Sequence, residues 1–163
     1  MVDSLAKKWL KTPIQLNQEL SMLYLTDELF DDITEKIGLR DNPFSDIFSF
    51  LNSSIISVLE EYSQHGKLAY CETDYFGGAG TQAALLYENG RQKSPPILTT
   101  DNYGAEKAPV DKRAINKVLK EFGIKKTEGK DEFDSVGLGD FRNMSCINNG
   151  SVFTIQNTAE NTT

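Results

Sequence analysis

Apolar and polar residues alternate from Leu68 to Phe76, LAYCETDYF. Leu68, Tyr70, Glu72, Asp74 and Phe76 fall on one face, and Ala69, Cys71, Thr73 and Tyr75 on the other. That period of two predicts a strand. Gly77, Gly78 and Gly80 supply the positive φ angles of a tight reversal, so Thr81–Glu88 is predicted to return as a second strand. Asn89-Gly90 is the strongest short-range turn signal in the chain and predicts a type I′ hairpin into a third strand.

The period changes elsewhere. Leu29, Phe30, Ile33 and Ile37 recur as one helical face. Thr26 precedes them as N-cap, Asp27 and Glu28 occupy the favourable first turn, and Gly38 follows as C′. Ile47, Phe48, Leu51, Ile55, Val58, Leu59 and Tyr62 predict a long helix over 45–64, capped by Ser45 and closed by Gly66. Ile115, Val118, Leu119 and Phe122 predict another, capped by Asp111 and ended by Gly123. Val2–Lys11 reads as a short amphipathic helix stopped by Pro13, whereas Ile14–Leu25 fits either helix or strand. Pro95 and Pro96 weaken an edge-like strand within 91–100, and 101–109 reads as a loop. The charged stretch 125–131 also reads as a loop. Glu132–Arg142 is irregular, but Phe133, Val136, Leu138 and Phe141 point it back to the core. Asn148–Gly150 is a turn signal, and Val152–Gln156 a last strand.

Clustered elements and neighbouring hairpins imply an α+β fold, an antiparallel β-meander packed by several helices. We expect one domain over 1–156 and a disordered polar tail over 157–163.

Composition narrows the function classes. The chain has 163 residues, 39% hydrophobic and 25% charged, enough for one domain with a real core. Its formal charge of -7 argues against non-specific nucleic-acid binding and against an anionic membrane surface, and it suits a basic protein partner. No secretory signal or membrane-spanning stretch is read. Cys71 and Cys146 are too few for a disulfide framework and, with one histidine, make a zinc site improbable, so no metal or cofactor is expected. A reduced cytoplasm is the expected compartment.

The candidate chemistry is sparse. Glu72 and Asp74 stand two residues apart among strand aromatics. Sharing a pocket, they would form a general acid–base pair, with Gln82 adding a polar contact. The plainer account is a solvated strand face that keeps an edge soluble. Gly77–Gly80 lacks the Lys-Ser/Thr of a phosphate-binding loop. His65, at a helix end, reads as exposed or capping, and Cys71 as a small core residue. Asp131, Glu132 and Asp134 form an acidic run that is either a solvated loop or an anionic docking patch.

Two stretches carry a resemblance. ETDYFGGAGTQAALLYENG (72–90), and INKVLKEFGI (115–124) followed by DEFDSVGLGDFR (131–142), resemble a pattern in small bacterial proteins. Some of these look like immunity proteins paired with secreted or contact-delivered toxins. The likeness spans 68–142 and carries over no catalytic residue. It implies a non-enzymatic protein that occludes a cognate toxin. The candidate partner-binding set is then Glu72, Asp74, Tyr75, Phe76, Gln82, Asp131, Glu132 and Asp134. The alternatives are a small enzyme using Glu72 and Asp74, or a regulatory domain that binds another protein.

Overall fold

The alternation in Leu68–Phe76 gives the central strand two buried faces. In the computed structural model, which describes residues 7–9, 11–141 and 150–157, β3 (Lys67–Phe76) and β4 (Ala79–Glu88) form a long antiparallel hairpin. The sheet also contains β1 (Ile14–Gln15), β2 (Leu20–Tyr24), β5 (Arg91–Gln92), β6 (Ile97–Asp101) and β7 (Gly150–Asn157). Its order is β1-β2-β7-β3-β4-β5, with β6 also paired to β4, and all of these pairings are antiparallel.

The helices are α1 (Asp27–Ile37), α2 (Ser53–Tyr62), α3 (Ala114–Glu121) and the short α4 (Glu132–Ser135). They divide between the two sides of the sheet. Leu29 and Ile33 of α1, and Ile55, Val58 and Leu59 of α2, cover a first face built on Leu68, Tyr70, Leu85 and Tyr87. Ile115, Val118 and Leu119 of α3, with Val136 and Leu138, cover a second face built on Met22, Ala69, Cys71, Ala84, Leu86 and Ile155. Burial of such side chains stabilises by about 1.5–3 kcal/mol each, before conformational entropy is subtracted. The result is an α+β domain with an antiparallel sheet between helical layers.

Local signals behave as expected at several points. Thr26 Oγ1 accepts from Leu29 N–H at 3.3 Å, and Gly38 closes α1 at φ 86°. Asn89 and Gly90 both have positive φ, 55° and 74°, as a type I′ turn requires.

One open reading is resolved and three expectations change. Ile14–Leu25 becomes β1 and β2, joined by Gln18 and Glu19 in the left-handed region. All five residues of β2 are buried, Ser21 included, which suits its place between two strands and two covered faces. The helix expected over 45–64 is only its second half. Asn52, not Ser45, is the N-cap: its Oδ1 accepts from Ile55 N–H at 3.0 Å, and its Nδ2 donates to Thr34 Oγ1 at 2.9 Å. The preceding segment, 44–51, folds as turns, yet Phe48 and Leu51 are buried, and the Phe48 ring meets Tyr70 edge-on at 5.6 Å. Asp111 does not cap α3. It lies in a 3-10 turn, Val110–Lys112, and Thr99 Oγ1 of β6 accepts from Ala114 N–H at 2.9 Å instead. The strand expected over 91–100 is split by Ser94, Pro95 and Pro96 into β5 and β6.

The final strand is longer than expected, reaching Asn157, and it lies inside the sheet between β2 and β3. Most of the expected helix over 2–11, the turn at Asn148, Cys146 and the tail beyond Asn157 lie outside the described residues.

Candidate functional site

The second face stops being apolar toward the hairpin end. Thr73 and Gln82 are cross-strand partners there, and Tyr75 lies opposite Gly80. On β6, Asp101 pairs with Gly80 and Thr99 with Gln82. Strand alternation therefore brings Thr73, Tyr75, Gln82 and Asp101 to one patch. Arg113 and Asn116 at the start of α3, Asp131 and Phe133 around α4, and Phe141 stand over it. With Met22, Tyr24, Leu138 and Lys107 they enclose a cavity of about 280 Å³.

Its polar groups are held in a defined network. Asp101, 3% exposed, accepts from Ala108 N–H at 2.9 Å through Oδ1 and from the Tyr75 hydroxyl at 3.0 Å through Oδ2. The Ala108 amide, then Tyr75, Arg113 and Lys107, hold its carboxyl below the usual range despite burial. Burial and then Asp101 push the Tyr75 hydroxyl up to about 12. Asn116, 1% exposed, donates to Val110 O at 2.9 Å and Asp131 Oδ2 at 3.1 Å, and accepts from Phe133 N–H at 2.9 Å. Asp131 Oδ1 caps α4 by accepting from Asp134 N–H at 2.8 Å. Tyr24 donates to Phe141 O at 3.1 Å.

The two cations differ from the two carboxylates. Among the described residues, no carboxylate lies within 4 Å of Arg113 or Lys107, and Arg113 Nε is buried without a hydrogen-bond partner. Gln82 Oε1 is buried and unpaired as well. No group of three His, Cys, Asp or Glu able to hold a metal occurs among the described residues, and no helix there is long and apolar enough to cross a membrane.

The structure separates the sequence-derived candidates. Glu72 is 9% exposed, and its carboxylate accepts from Ser49 N–H at 2.7 Å, Phe50 N–H at 2.8 Å and the Tyr70 hydroxyl at 2.7 Å. It thus ties the 44–51 segment to β3. Burial outweighs these bonds and raises its pKa. Asp74, on the same strand face, is exposed, so the two carboxylates have different surroundings. Neither lines the cavity. Tyr75 is 37% exposed and Phe76 85% exposed at the hairpin tip. Gln82 and Asp131 line the cavity. Glu132 is 2% exposed, lying 3.7 Å from Lys120 Nζ and 3.6 Å from Lys126 Nζ, while Asp134 is half-buried.

His65 is exposed. The Cys71 thiol is fully enclosed, and burial, then Glu72, pushes its pKa well above the ordinary thiol value, away from nucleophile chemistry.

Sequence reasoning missed Asp101, Lys107, Arg113 and Asn116. Asn116 stands between Ile115 and Lys117 in an amphipathic helix, where nothing local marks it as buried. Arg113, after Asp111 and Lys112, looked like any solvated charge. No family model, curated protein or solved structure matches this chain in the comparisons made.

Proposed function

We propose that this chain is an immunity-type protein that binds a basic protein toxin and neutralises it by covering it, with the hairpin end of the sheet as the contact face. The observation that carries this reading is Phe76, 85% exposed at the tip of a hairpin paired as far as Phe76 and Ala79. Tyr103, also 85% exposed, lies two residues beyond Asp101, the β6 partner of Gly80 at the same end. Large aromatic side chains on a pre-ordered backbone supply contact area with little freedom left to lose, the usual property of an interface anchor.

Asp74 is exposed beside them, and the net charge of -7 favours encounter with a basic partner. The resemblance of 68–142 to immunity-type proteins supplies the toxin as the partner. Glu72 and Glu132 act indirectly in this reading, by holding the chain's own segments in place. The reading requires no catalysis by Glu72 and Asp74.

The test takes a small basic domain from an open reading frame found next to this chain's gene and measures growth of cells that produce it, with and without this chain, together with titration of the purified pair. Restored growth and saturable binding are expected. Phe76→Ser should weaken binding about tenfold or more, and Asp74→Asn should chiefly slow association at low salt. Absence of protection, with both proteins made and folded, would overturn the reading.

A further inference from the structure

We propose that the cavity between the second sheet face and the α3–α4 segment binds a compact organic anion, one acid group on a single ring or short apolar chain. This inference does not rest on the toxin-binding reading, which concerns the exposed hairpin end.

The cavity's charges balance on paper but not in their bonding. Both oxygens of Asp101, and both of Asp131, already accept from donors of the protein. Arg113 has no carboxylate within 4 Å among the described residues, and its buried Nε–H has no acceptor. A buried charged donor left unmet is costly, and an acid group placed against the guanidinium removes that cost through charge-assisted hydrogen bonds. Lys107, exposed and lining the same cavity, adds positive potential. Gln82 Oε1, buried and unpaired, offers an acceptor to an N–H or O–H of the ligand.

The rest of the ligand is set by the walls and the volume. Met22, Phe133, Leu138 and Phe141 present apolar surface. At roughly 30 Å³ per water, the 280 Å³ cavity holds about nine waters, or an organic molecule of similar size. That leaves room for one ring with its acid group. The acid is a carboxylate or a phosphate monoester, since both match the planar donor fork of arginine.

The experiment titrates the full chain with benzoate, phenyl phosphate, inorganic phosphate and benzyl alcohol. Binding is read from the Arg113 Nε–Hε NMR resonance and from the thermal unfolding midpoint. At least one aromatic anion should bind saturably, about tenfold or more tighter than benzyl alcohol. The tighter of benzoate and phenyl phosphate identifies the acid. Inorganic phosphate, without a ring, should bind weakly. Arg113→Gln should reduce the aromatic anions to the level of benzyl alcohol. The Arg113 side chain makes no helix-capping bond, so this variant should fold, and its circular dichroism and unfolding midpoint check that. The comparison of anion with alcohol on the wild-type chain needs no variant at all. The proposal is overturned if neither aromatic anion exceeds benzyl alcohol, if inorganic phosphate binds as tightly as they do, or if folded Arg113→Gln binds them unchanged.

Discussion

Tyr75 reaches across Gly80 to Asp101. Gly80 is the cross-strand partner of both residues, one on β3 and the other on β6. A Cβ at position 80 would lie 2.8 Å from the Tyr75 Cγ and 2.7 Å from its Cα, and it would also meet Asp74 O. The absent side chain is therefore what lets the Tyr75 ring lean over β4 so that its hydroxyl donates to Asp101. Gly80→Ala is expected to destabilise by about 1–3 kcal/mol through this overpacking, with added strain from φ +156°. Urea unfolding measures the loss, and an unchanged midpoint would show that the β3 backbone at Asp74 and Tyr75, as well as the ring, can give way.

Asp101→Asn should alter the acid limb of stability. The folded-state pKa of Asp101 is depressed, so its contribution is present above the unfolded value, about 3.9, and is lost as pH falls through the folded value. The variant should be less stable at neutral pH by about 1–3 kcal/mol, because one amide hydrogen faces a donor. The gap to wild type should narrow as pH falls below about 4. Denaturation midpoints across that range are the check, and a gap that widens would contradict the sign.

Glu72 has the opposite sign. Burial raises its folded-state pKa, so its contribution is fully present below the unfolded value and is lost as pH rises through the folded one. Glu72→Gln should cost about 1–3 kcal/mol, since an amide NH₂ replaces an acceptor facing Ser49 N–H, Phe50 N–H or Tyr70. That cost should grow, not shrink, as pH is lowered from 7 toward about 4.5. Chemical denaturation at both ends of the range decides it. Hydrogen exchange at Ser49 and Phe50 should also quicken in the variant.

Leu51→Ala should destabilise by about 2–5 kcal/mol. Leu51 has no exposed surface, although it precedes the helix rather than lying in it. A loss below about 0.5 kcal/mol on denaturation would mean that the first-face core closes without it.

What the sequence disclosed divides by range. The β3 alternation, the Asn89-Gly90 turn and the Thr26 cap were legible because each is written within a few neighbouring residues. Glu72 was not, because its setting is made by Ser49 and Phe50, whose amides reach it only after 44–51 folds back over β3. The same carboxylate draws those amides out of the helical pattern, so the apolar spacing from Ile47 overstated the helix. Asp131 and Glu132 looked like one acidic run, yet one caps α4 beside Asn116 and the other is buried under two lysines. The cavity was least legible of all. Tyr75, Gln82, Asp101 and Arg113 come from separate elements, and only strand register and the placement of α3 bring them together.

The position of β7 has a consequence for the birth of the molecule. Strands β2 and β3 are each paired with β7 rather than with one another. A nascent chain emerging from the ribosome therefore carries two unzipped seams until residues 150–157 have been made. Synthesis at about 5–20 residues per second leaves several seconds between the exit of β3 and that of β7. During that interval, either seam can recruit a foreign strand.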